Sequence, residues 1–191
     1  MYNDKVIEEI KNILISRGQT IAVAESLTSG HLQVALASAE NASKFFQGGI
    51  TAYNLGQKAR HLKIEPIHAE NCNCVSEKVA SEMALNVIDL FSTDWSIGIT
   101  GYAAPVPECS VEMPFAYYAI CLHDKVLRIN KIESDEKDPM QVQIKFVNMV
   151  LSDLWGIIKS TGQSSFSSND LNSISSRLAS AGPVSTSPST E

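Results

Sequence analysis

The chain has 191 residues, 44% of them hydrophobic, and a formal net charge of −6 at neutral pH. That length supports one ordinary globular core, and the acidic balance argues against nucleic acid as a partner, because phosphate binding calls for a basic face. No apolar run is long enough to span a bilayer, and Met1 to Lys11 has mixed charge without a signal-like apolar core, so a cytoplasmic protein without membrane attachment is expected.

Val6, Ile7, Ile10, Ile13 and Leu14 recur at helical spacing, which predicts an amphipathic helix over 4–16 that stops at Arg17-Gly18. Thr20 to Ala24 reads as a buried strand. A helix follows from Thr28 to Ala39, with Thr28 or Ser29 as its N-cap. Phe45 to Gly49 reads as a turn into a strand at Ile50–Tyr53, followed by a short helix over 57–62 and a loop over 66–74. Ser76 to Phe91 carries the clearest helical pattern, with Val79, Met83, Val87 and Leu90 inward. Trp95 to Thr100 reads as a second buried strand, and the proline-bearing stretch 103–113 as a long loop at its end. Two strands, 115–122 and 125–132, face each other across His123-Asp124. A last helix runs from Pro139 to Ile158.

Early alternation of helix and strand with a late hairpin predicts a three-layer α/β single domain over 1–158, its mixed β-sheet flanked by helices. From 159 to 191 Ser, Thr, Asn, Gly and Pro dominate, and this Ser-rich low-complexity stretch is expected to be a disordered tail with weak helix near 171–178. Cys72, Cys74, Cys109 and Cys121 are expected as reduced thiols. Cys72-Asn73-Cys74 is too tightly spaced for a usual zinc pair, so neither a metal nor a cofactor is expected, although His68 stands nearby.

Ser26 is the first candidate for chemistry. It follows the buried run 21–24 and precedes a helix, and such strand ends in α/β proteins are where ligands sit. Backbone N–H groups at Thr28, Ser29 and Gly30 are suited to a phosphate or a developing oxyanion. Thr100 and Gly101 close the second buried strand, and the two strand ends are expected to converge on one crevice. Amide hydrolysis needs a nucleophile, a proton acceptor and oxyanion donors. Lys58 fits the second role if desolvation lowers its pKa; a charged Lys58, with Arg60, His61 and Lys63 around it, fits a phosphate instead. Each residue also has a plain structural reading: Ser26 as helix cap, Lys58 as solvated lysine, Tyr53 as a surface strand residue, Thr100-Gly101 as a tight strand exit. Glu25 reads equally as a partner to nearby backbone or as half of a salt bridge. Phe115, Tyr117 and Tyr118 read as core and interface residues.

Four segments resemble, in order, motifs of the CinA carboxyl-terminal domain family, which includes the stand-alone nicotinamide-nucleotide amidases. AESLTSG (24–30) resembles AESCTGG. FFQGGITAYNLGQK (45–58) keeps the family's Tyr-to-Lys spacing at Tyr53 and Lys58. NCVSEKVASEMA resembles AVSEEVAREMA, and IGITGYAAP resembles AVTGIAGP. The resemblance covers residues 5–157. It implies an amidohydrolase that converts nicotinamide mononucleotide to nicotinic acid mononucleotide and ammonia. Ser26 would be the nucleophile, Tyr53 and Lys58 would stand in the pocket, and Thr100 and Gly101 would contact the small nucleotide substrate. A homodimer is expected, with the aromatic strands at its contact.

The chain also departs from the pattern. Leu27 stands for a cysteine, Ser29 for a glycine, and Tyr102 to Pro107 for a glycine-rich loop. Asp138-Pro139-Met140-Gln141-Val142-Gln143 lacks the arginines usual at the start of the last helix, and glutamine has no charged fork for a phosphate. The resemblance therefore carries an alternative: a catalytically impaired nucleotide-binding or regulatory domain. A plain interaction module recruiting through the Ser-rich tail is a third reading.

Overall fold

The computed structural model describes residues 1–161; of the tail expected to be disordered from 159, residues 159–161 continue the last helix, and the rest, with its weak helix near 171–178, lies outside the described residues. The elements run α1 (Asp4–Arg17), β1 (Ile21–Glu25), α2 (His31–Ala37), β2 (Phe46–Thr51), α3 (Leu55–Leu62), α4 (Pro66–Asn71), α5 (Glu77–Phe91), β3 (Trp95–Tyr102), β4 (Phe115–Leu122), β5 (Lys125–Glu133) and α6 (Pro139–Thr161). Two single 3₁₀ turns, Ala42–Lys44 and Pro107–Cys109, lie in the connections.

One five-stranded sheet has the order β2-β1-β3-β4-β5. β1 pairs parallel with both β2 and β3, whereas β3, β4 and β5 pair antiparallel, so the sheet is mixed and helices cover both faces. Strand alternation decides what each layer is made of. Ile21, Val23, Ile97, Ile99 and Ile120 point to the side packed by α1, α2 and α6. Ala22 and Ala24 point to the side packed by α3, α4 and α5. On that side β3 presents only Ser96, Gly98 and Thr100, so α5 comes very close. A Cβ on Gly98 would lie 2.4 Å from the Ala80 carbonyl oxygen and from the Ala84 amide. No helix among the described residues is long and apolar enough to cross a membrane.

Three local readings need correction. β2 begins at Phe46, so Gly48-Gly49 is strand and not turn. Gly49 is there because the Val23 side chain and carbonyl leave a Cβ only 2.6–2.7 Å. The stretch 66–71 is helix and not loop: Pro66 sits in its first turn, and the Glu65 carboxylate accepts from the amides of Ile67 and His68 at 2.8 Å each. The first residue of α2 is His31, and neither Thr28 nor Ser29 caps it.

Candidate active site

The carboxyl ends of β1, β2 and β3 build the site. The Ser26 amide donates to the Ile99 carbonyl at 3.1 Å, which extends the β1–β3 ladder by one residue and fixes where the serine leaves the sheet. The chain then turns sharply. The Ser29 amide donates to the Ser26 carbonyl (3.2 Å), and Ser29 and Gly30 both take the left-handed region at φ +50° and +102°.

Glu25 holds this turn against α2. Its fully buried carboxylate accepts from the amides of Gly30, Leu32 and Gln33 at 3.0–3.2 Å, and from the Gln33 side chain at 3.2 Å. A strand-end acid thus does the capping that a helix-adjacent hydroxyl was expected to do, and its charge suits the positive end of the helix. Glu25→Ala would leave one buried amide and two half-buried ones without their acceptor, so a loss of about 2 kcal/mol is expected in urea denaturation.

Lys58 reaches the serine from α3, whose first turn is capped by the Asn54 side chain accepting from the Gln57 amide. Its side chain folds inward and is 1% exposed. Nζ lies 2.8 Å from Ser26 Oγ, 2.8 Å from the Ala52 carbonyl oxygen and 3.3 Å from that of Tyr53. Burial lowers its pKa to about 8, opposed slightly by the nearby Cys74 thiol. The two carbonyls can only accept hydrogen bonds, so they take two N–H hydrogens. In the neutral amine the remaining position, a lone pair, points at the serine hydroxyl.

Beside this pair lies a cavity of about 300 Å³, whose lining includes Ser26, Lys58, Tyr53, Thr100 and Gly101. Thr100 is buried, and its hydroxyl donates to the Cys74 carbonyl at 2.7 Å. That bond pins the Asn73–Cys74 turn, in which both residues take positive φ, against the end of β3. A Cβ on Gly101 would fall 2.2 Å from the Phe115 carbonyl oxygen, so strand packing alone requires glycine there. Tyr102 completes the wall, its hydroxyl accepting from the Asn73 side chain at 2.8 Å.

A family model described as the CinA C-terminal domain matches residues 3–158. The chain belongs to that family. A CinA-like protein of Prochlorococcus marinus is 43% identical over 104 residues, which is 54% of this chain and 25% of that protein. Another from the same species is 30% identical over 164 residues, covering 84% of this chain and 38% of its own length. The chain thus spans about a quarter of the first of these relatives. Among solved structures, the competence or damage-inducible protein of Enterobacter asburiae superposes with a TM-score of 0.76 at 25% identity, over 83% of this chain and 99% of its own. A CinA superfamily protein of Escherichia coli gives 0.71 at 26% identity, over 79% and 87%.

Within this CinA domain not every candidate residue reaches the cavity. Tyr53 stands at the rim, 69% exposed, and only its carbonyl touches Lys58. Thr28, Ser29 and Gly30 are not among the lining residues. The amides of Ser29 and Gly30 are taken up by Ser26 and Glu25, and the Thr28 hydroxyl is buried without a partner among the described residues. The amides of Leu27 and Thr28 have no acceptor there either. Arg60, His61 and Lys63 are exposed, so the basic cluster around Lys58 does not form a common site. His68 bonds to the Ser76 hydroxyl at 2.9 Å, not to the thiols, and no group of three metal-ligating side chains is assembled among the described residues.

Sequence reasoning missed Asn54, Asn73 and Cys74 as wall residues, whereas Tyr102 belongs to the loop that it read as replacing the glycine-rich one. It also missed Gln143 of α6, whose side-chain amide donates to the Leu27 carbonyl at 2.6 Å. Asn54 alone left a signal, as the Asn-x-x-Gln start of a helix.

Proposed function

We propose that the protein is a cytoplasmic amidohydrolase of the nicotinamide-nucleotide amidase type that works as a homodimer and converts nicotinamide mononucleotide to nicotinic acid mononucleotide and ammonia. The observation that carries this reading is the buried, pKa-lowered Lys58 amine 2.8 Å from Ser26 Oγ. Neutral Lys58 takes the hydroxyl proton as Oγ attacks the carboxamide carbon. The unpaired amide of Leu27, a residue of the cavity lining, is the donor offered to the oxyanion of the tetrahedral intermediate. Lys58 then returns its proton to the departing nitrogen, and ammonia leaves a Ser26 ester. The same amine deprotonates a water that cleaves the ester, releasing the carboxylic acid and restoring the hydroxyl.

Ammonia release from nicotinamide mononucleotide by the purified protein tests the reading. No release, together with a nucleotide-dependent rise in melting temperature, would favour the second reading, a CinA-type binding domain without its chemistry. Gln143 is what favours that second reading. In the stretch where the family motif places arginines, this chain spends a neutral amide on the Leu27 carbonyl and not on a ligand. If the domain is an amidase, Gln143 is a positioning residue for the turn that carries Ser26. Gln143→Ala is then expected to lower kcat about tenfold with a smaller change in KM, since misplaced reacting groups cost rate before affinity. Steady-state kinetics separate the two parameters, and a fall confined to KM would mean that Gln143 serves binding instead.

A further inference from the structure

Amide chemistry at Ser26 fixes which end of a substrate enters the cavity first. Ser26, Lys58, Cys74 and Thr100 are buried and form its floor, whereas Tyr53, Asn54 and Asn73 are exposed and form its mouth. A carboxamide carbon at Ser26 Oγ therefore leaves the opposite end of a nucleotide, the sugar 5′ position, among the mouth residues. We infer that this chain does not grip a 5′-phosphate, so that its substrate class is the nicotinamide nucleoside with or without that phosphate.

Every group suited to hold a phosphate is either committed elsewhere or outside the cavity. Lys58 is the only cation in the lining among the described residues, and its Nζ sits on the floor between Ser26 Oγ and the Ala52 and Tyr53 carbonyls. The amides that open α2, placed after a strand end where phosphates are often cradled, are held by the Glu25 carboxylate. That carboxylate also brings a negative charge to the spot. Gln143, in the stretch where the family motif places arginines, donates to the Leu27 carbonyl. Arg60, His61 and Lys63 are exposed and do not line the cavity.

What the mouth and wall do offer is neutral: the amides of Asn54 and Asn73 and the hydroxyls of Tyr53 and Tyr102, which exchange hydrogen bonds with sugar hydroxyls. The first turn of α3, which meets the cavity through Leu55, adds only the partial charge of a helix end. That is worth a factor of about two to five for an anion, where an arginine fork gives about tenfold to a hundredfold. The long-range field also acts against the phosphate. A net charge of −6 repels the nucleotide, whose phosphate outweighs its pyridinium, and attracts the riboside, which keeps the pyridinium alone.

The inference rests on the amidase reading above, and one assay separates the two. Ammonia release by the full chain is measured with nicotinamide mononucleotide and with nicotinamide riboside, giving kcat/KM for each. In both, the carboxamide C–N bond breaks, water supplies the carboxylate oxygen, and the glycosidic bond and the 5′ position take no part. The two values should agree within about fivefold, the most that a helix end contributes. Arg60→Ala and Lys63→Ala, which change exposed cations outside the lining, should leave both values unchanged. A preference for the nucleotide of more than about tenfold would overturn the inference and leave the amidase standing. So would a loss of that size, in either variant, confined to the nucleotide. No ammonia from either compound would overturn the amidase reading and this inference with it.

Discussion

Ser26→Ala is expected to reduce ammonia release from nicotinamide mononucleotide by about 10⁴-fold or more while leaving the fold and nucleotide binding in place. The magnitude follows from the unit nature of a nucleophile–base pair, in which removing either member removes the covalent route. The side chain contributes little else. Ser26 is 6% exposed, and its hydroxyl is bonded to Lys58, which keeps the Ala52 and Tyr53 carbonyls when the hydroxyl goes. The Ser26 amide, which ties the turn to β3, is untouched by the substitution. A variant that melts near the parent temperature, is still stabilised by nucleotide and releases no ammonia would assign the chemistry to Oγ. Retention of more than about a tenth of the activity would be too much for a lost nucleophile and would point elsewhere. The Cys74 thiol, close enough to Lys58 for each to affect the other's pKa, is the first place to look.

What the sequence made legible was whatever is written in local periodicity. The inward faces of α1, α5 and α6 and the apolar runs of β1 and β3 sit where their spacing puts them, because one amphipathic or buried pattern decides each element. Glycine misled in β2, where Gly48-Gly49 looks like a turn and is in fact a close approach to Val23 and Phe91. Its cause lies in another strand and another helix. At the site, Ser26 could be picked out because a strand end and a helix start flank it within ten residues. The environment of Lys58 could not, since a lysine on a short helix is solvated by default. Its 1% exposure arises because α3 folds over the strand ends and delivers Nζ to a residue 32 positions away. The contact from Gln143 to Leu27 spans 116 positions and leaves no trace in either segment. Glu25 is the intermediate case. All its partners lie within eight residues, but the capping requires Ser29 and Gly30 in the left-handed region, and a serine does not advertise that.

The activity is expected to rise with pH across the neutral range, with kcat/KM climbing about tenfold per unit and levelling off above a pKa of about 8. The sign is set by the role: a general base works neutral, and lysine is neutral above its pKa. Lys58→Met keeps most of the buried volume and removes the amine, so it should lower kcat by on the order of 10³-fold and erase this limb of the profile. A charged Lys58 that only bound an anion would give the opposite slope, with activity falling as pH rises. The same shift makes a second, independent demand on stability. Because the folded-state pKa lies below the ordinary lysine value of 10.5, the unfolded chain holds this proton more tightly than the native one. The resulting destabilisation is fully present below about pH 8 and disappears as pH rises toward 10.5, a change on the order of 3 kcal/mol. Other groups titrate in that window, among them tyrosines and surface lysines, but they are common to both proteins. Urea denaturation at pH 7.5 and pH 10 should therefore show the parent gaining stability relative to Lys58→Met as pH rises. Equal responses in the two proteins would mean that the amine is solvated enough to keep its ordinary pKa, and a lysine of that kind could not act as the base at neutral pH.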